Sequence, residues 1–145
     1  MKFIERFKGT NHLGWESALV GLLTMITPTI LPVCEGLLEL VNGNQVPMRC
    51  HWTAQAELAL GGVLLVTGLF LAISQSIETK RALSNIVLVL GMAIVLVPIF
   101  IISTCDNPEM ACNIGTRPAW LLLGGISMLL GLIGSRPAKQ ETSFA

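Results

Sequence analysis

Residues 82–105 read ALSNIVLVLGMAIVLVPIFIISTC, 24 positions without a charge between Arg81 and Asp106. An apolar run of that length crosses a hydrocarbon core of about 30 Å as a helix, whose backbone satisfies its own hydrogen bonds. The run does not alternate apolar and polar residues at period two, which excludes a barrel strand. Three further uncharged runs stand between Glu16 and Glu35 (18 residues), Glu57 and Glu78 (20), and Arg117 and Arg136 (18). The expectation is an all-α fold, a four-helix transmembrane bundle. It forms a single integral membrane domain over residues 1–145, with one helical hairpin over about 15–77, a second over about 82–135, and short tails.

Composition agrees. The chain is 52% hydrophobic and only 12% charged, where soluble domains carry about 25% charged residues. Nine basic and nine acidic residues cancel, so the positive field that a nucleic-acid partner requires is missing. A disordered chain and an ordinary soluble enzyme are excluded on the same figures.

Orientation follows from the basic residues. Lys2, Arg6, Lys8, Lys80, Arg81, Arg136 and Lys139 fall in the tails and the middle connection, leaving only Arg49 and Arg117 for the other two loops. The positive-inside rule then expects a multi-pass protein of the cytoplasmic membrane with both termini cytoplasmic. Leu31-Pro32-Val33-Cys34 superficially resembles a lipoprotein cleavage site. It lacks the small residue before the cysteine, so the first span is read as a permanent helix, kinked by Pro28 and Pro32. The hydroxyls of Thr24, Thr27 and Thr29 are placed to bond back to the helix backbone there.

The second half restates the first. A shift of 63 positions superposes Thr53, Ala56, Leu58 and Leu60 on Thr116, Ala119, Leu121 and Leu123, and Gly61, Gly62 and Gly68 on Gly124, Gly125 and Gly131. Met48-Arg49-Cys50 matches Met110-Ala111-Cys112 after a one-residue adjustment. Both hairpins run in the same direction, so the repeat is parallel, about an axis along the membrane normal. The six glycines form stripes on which a neighbouring helix can approach closely, whether of this chain or of a partner.

All four cysteines fall on the expected outer side, which suits a disulfide framework in an oxidising compartment. Three pairings are possible; the repeat favours Cys34–Cys50 and Cys105–Cys112. Two sharper readings compete. Thiol–disulfide relay chemistry would use the same cysteines, with Arg49 beside Cys50 as the one positive neighbour. A copper site would draw on Met48, Cys50, His51, Met110 and Cys112, soft sulfurs plus an imidazole.

Ionisable groups are expected to stay out of the middle of every span, which argues against an ion-coupled carrier. Glu57, two turns into the second helix, reads as an acid on the helix dipole or as a contact point paired with Arg117 of the other hairpin. Glu35 and Glu39, one helical turn apart, suggest a first helix that continues past the membrane with an acidic face. With Glu57 and Arg117 they make up the candidate partner contacts. No catalytic set and no cofactor site is evident.

Met48 and Cys50-His51-Trp52-Thr53-Ala54-Gln55-Ala56-Glu57, with Met110-x-Cys112-Asn113 and Thr116-Arg117-Pro118-Ala119, resemble the paired motifs of a bacterial family of small four-helix membrane proteins. That family's domain has no assigned function. The resemblance spans roughly Ala18 to Ser135. It implies the same architecture and an accessory subunit beside ABC transporters with permeases of the macrolide-exporter and lipoprotein-release type. The expected function is therefore a non-enzymatic accessory or regulatory subunit of a membrane complex, an ABC-type exporter first. Its partners would be membrane lipid and an integral membrane protein such as the permease. The alternative is a membrane thiol-redox or copper-handling protein.

Overall fold

The computed structural model describes residues 2–31, 33, 36–102, 109 and 112–136, with the backbone alone for 2–11 and 38. Four long helices carry the chain: α1 (Lys2–Ile30), α2 (Arg49–Ile73), α3 (Ile77–Leu96) and α4 (Arg117–Ser135). π-helical turns at Val97–Ile101 and Cys112–Thr116 follow α3 and precede α4. Stretches His12–Ile30, Arg49–Ile73, Ile77–Ile101 and Cys112–Ser135 are each long and apolar enough to cross a membrane. This is the all-α, multi-pass membrane architecture expected from the uncharged runs.

Packing is closest within the hairpins, α1 on α2 and α3 on α4. Lesser α2–α3 and α1–α4 contacts close the ring, so α2 and α4 stand on a diagonal. Leu64, Val87, Ile94 and Trp120 fill the centre. Leu19, Val63, Val66, Val89, Leu122 and Leu129 face outward, a surface tolerable only against lipid or another apolar helix.

The repeat is visible in the contacts. A Cβ on Gly61 would meet the Gly21 carbonyl oxygen at 2.9 Å, and one on Gly124 would meet that of Gly91 at 3.0 Å. Gly68 lies against the Ala18 backbone, and a Cβ on Gly131 would stand 2.6 Å from the Leu88 nitrogen. These four glycines set the interhelical distance inside each hairpin. Gly62 and Gly125 do not share that role. The first would meet only the Met25 sulfur, at 3.8 Å, and the second meets nothing within 4 Å.

Three boundaries differ from expectation. Chain 37–47 is not an extension of the first helix. β1 (Leu37–Glu39) and β2 (Gln45–Pro47) pair antiparallel, Leu37 opposite Pro47 and Glu39 opposite Gln45. The turn between them is closed by the Gly43 N–H on the Leu40 carbonyl at 2.8 Å. Gly43 has φ +75°, which Asn42-Gly43 supplies without strain. Glu39 therefore sits on an exposed strand, within 3.4 Å of the Gln45 amide, and Glu35 lies outside the described residues.

The middle connection is also shorter than expected. Ser76 caps α3, its hydroxyl accepting from the Thr79 N–H at 3.2 Å. Glu78, Lys80 and Arg81 thus belong to the first turns of α3, and Ser74–Ser76 alone joins the hairpins. Finally, α1 extends back to Lys2, well before residue 15.

The threonine prediction for the first span is met: Thr24, Thr27 and Thr29 donate to the carbonyls of Val20, Leu23 and Ile26 at 2.7 to 2.9 Å. Pro28 lies inside α1, where its ring removes one helical N–H donor.

Candidate functional site

One cluster of buried polar groups lies at the end of the bundle where the π turn after α3 and the first turns of α2 and α4 converge. Pro98 in the first π turn cannot donate, and the Ile102 N–H bonds back five residues to Val97 at 2.9 Å. The Ile102 carbonyl is left for α2. Thr53 donates its hydroxyl to it at 2.9 Å, with the Arg49 carbonyl a second acceptor at 3.2 Å. This bond crosses from one hairpin to the other.

Beside it the two motif cysteines meet. Cys50 Sγ and Cys112 Sγ are 3.3 Å apart and fully buried. A disulfide requires about 2.05 Å, so this is a contact and not a bond. The sequence expectation joined Cys50 to Cys34 and Cys112 to Cys105. Cys34 and Cys105 lie outside the described residues, and the sulfur that faces Cys50 is that of Cys112. Symmetry explains it: in a parallel repeat, residues next to the pseudo-axis meet their own equivalents across it.

Deeper along the same helix faces lie the other equivalent pairs. Thr53 and Thr116 come one turn on, Glu57 and Trp120 the next, and all four side chains are 0–1% exposed. Thr53 is bonded; Thr116 is not. Glu57 Oε1 and Oε2, Thr116 Oγ1 and Trp120 Nε1 have no hydrogen-bond partner among the described residues. Such atoms are rare in native interiors, and each costs about 1–3 kcal/mol.

Glu57 thus corrects three expectations. An ionisable residue does lie inside a span, directed into the bundle. It makes no pair with Arg117, because Arg117 reaches back one turn to Asn113 Oδ1 at 3.5 Å while Glu57 takes the centre-facing position that Trp120 takes in α4. The dipole reading fails as well, since that effect is confined to the first turn and α2 begins eight residues earlier at Arg49. Sequence reasoning missed the site by treating Glu57 as the outer edge of an uncharged run. Its alignment with a tryptophan at the 63-residue shift was the available signal.

The remaining candidates scatter. His51 is exposed and packs edge-on against Trp52, ring centroids 6.0 Å apart. Met48 is half-buried beside Gly36, and Met110 lies outside the described residues. Among the described residues no three His, Cys, Asp or Glu side chains cluster as metal ligands. The arrangement brings together sulfur with sulfur, and a carboxyl, a hydroxyl and an indole with one interior.

Compared with known families, residues 17–135 match the model described as a domain of unknown function, DUF4418. No curated protein and no solved structure matches the chain.

Proposed function

The chain belongs to the DUF4418 family, and we propose that it is a non-enzymatic accessory subunit of a bacterial membrane complex, an ABC-type exporter being the first candidate. The observation that carries this reading is Gly125. In each hairpin the first glycine of the Gly-Gly pair packs the helices together, whereas the second has room beside it, Gly62 with only the Met25 sulfur at 3.8 Å and Gly125 with nothing within 4 Å. A Cβ on Gly125 would meet nothing within 4 Å among the described residues, and the glycine, itself half-buried, lies between Leu122, Ile126 and Leu129, all exposed on the same face of α4. Against lipid alone a glycine there gains nothing and weakens the helix by about 1 kcal/mol relative to alanine. Against a partner helix it permits close approach of the backbones. The resemblance of the paired motifs supports the exporter as the partner. The basic residues support a cytoplasmic location for both termini and the Ser74–Ser76 link.

Gentle detergent extraction from native membranes, with mass spectrometry of the co-purifying chains, tests the reading. A transporter permease and its nucleotide-binding subunit should come with the chain at fixed stoichiometry. A chain that is recovered alone in several detergents contradicts it. A second reading, membrane thiol-redox chemistry, draws its support from the buried Cys50–Cys112 contact.

A further inference from the structure

We propose that Cys50 and Cys112 form a reversible disulfide across the pseudo-axis, locking the two hairpins together at the cysteine end. The inference is independent of the partner-binding reading and deepens the thiol-redox one. It rests on three observations. The sulfurs are already in contact at 3.3 Å, so bonding requires them to close by little more than an ångström, within reach of small side-chain and backbone adjustments. Both stand at element starts, Cys50 second in α2 and Cys112 first in its π turn, where the adjoining chain can yield more readily than a helix middle. They also lie on the weaker seam of the bundle. Helices pack more extensively within each hairpin than between hairpins, and α2 and α4 are a diagonal pair. A bond between Cys50 and Cys112 would therefore add a connection that packing does not supply, beside the Thr53–Ile102 hydrogen bond.

The chemistry is thiol–disulfide exchange with a disulfide oxidant. One cysteine thiolate attacks the oxidant's S–S bond, displacing one thiol and leaving a mixed disulfide. The second cysteine attacks that mixed disulfide, releasing the second thiol. One S–S bond breaks in the oxidant and one forms between the hairpins. Two electrons pass to the oxidant, and the two cysteine protons end on the released thiols. A dithiol reductant reverses the sequence.

The test uses the full chain in detergent with a protease site inserted at Gln75, in the link between the hairpins. The reduced protein is treated with one equivalent of 4,4′-dithiodipyridine, cleaved and run on a non-reducing gel. The expected result is two thiopyridones released per chain and two halves that stay joined until reductant is added. Peptide mapping of the uncleaved wild-type chain should then recover Cys50 linked to Cys112. Halves that separate, with linked peptides Cys34–Cys50 and Cys105–Cys112, overturn the proposal. So does a Cys34–Cys105 link holding the halves together, or a chain whose Cys50 and Cys112 remain thiols in excess oxidant.

Discussion

Glu57 of α2 and Trp120 of α4 occupy equivalent positions, 63 residues apart in the sequence, and both are buried with polar atoms that no described residue partners. A bundle shaped for stability alone would place two apolar side chains there. A carboxyl group inside a span is costly, and such groups mark functional positions in membrane proteins.

Replacing the carboxyl separates stability from function. Glu57→Leu should leave the purified chain as stable as the wild type or more so, by up to about 3 kcal/mol, because an orphaned polar group is removed. Unfolding in mixed detergent micelles measures it. A comparable loss of stability would show that the carboxyl is paired.

Thr53 and Thr116 offer a matched pair. Thr53→Val removes a hydroxyl bonded to Ile102 and Arg49 carbonyls and should cost about 0.5–1.5 kcal/mol. Thr116→Val removes a hydroxyl with no partner among the described residues and should cost nothing measurable. The two unfolding curves, taken side by side, decide it; equal losses contradict the asymmetry.

The glycines should divide in the same way. Gly68→Leu and Gly131→Leu drive a side chain into the backbone of the facing helix and should destabilise the chain by about 1–3 kcal/mol or more. Gly125→Leu meets open space and should leave the isolated chain at least as stable, since leucine is the better helix former. Destabilisation of the Gly125 variant in pure detergent would mean that its face is already occupied within the chain.

How much of this was legible beforehand follows from what each pattern reports. Four spans were readable because uncharged length is set by bilayer thickness, whatever the packing. The repeat was readable because Gly61, Gly68, Gly124 and Gly131 recur at one spacing. Which glycine of each pair would face its own hairpin was not readable, since adjacent residues differ by 100° around a helix and only packing fixes the rotation. The ribbon at 37–47 was missed although Asn42-Gly43 announces a turn. Reading Glu35 and Glu39 at helical spacing gave precedence to a two-point pattern. The repeat favours cysteine pairs within each hairpin when read along the sequence, whereas the axis that relates the hairpins brings Cys50 to Cys112. Glu57 was assigned to the boundary because charge ends a hydropathy run even where the helix continues.

Topology can be checked at the link between hairpins. A protease site at Gln75 should be cut in inside-out membrane vesicles and protected in intact spheroplasts, as the basic residues around it require. The opposite pattern would reverse the orientation and place the cysteine end in the cytoplasm.

The most direct measurement is photo-cross-linking in native membranes with a photoreactive amino acid at position 125, and at position 89 on α3 as a lipid-facing control. Val89 is 62% exposed. One cross-linked membrane protein of defined mass, identified as a transporter subunit, is expected from position 125, and none from position 89. Adducts to lipid alone from both positions, in cells that express the chain at native level, would contradict it.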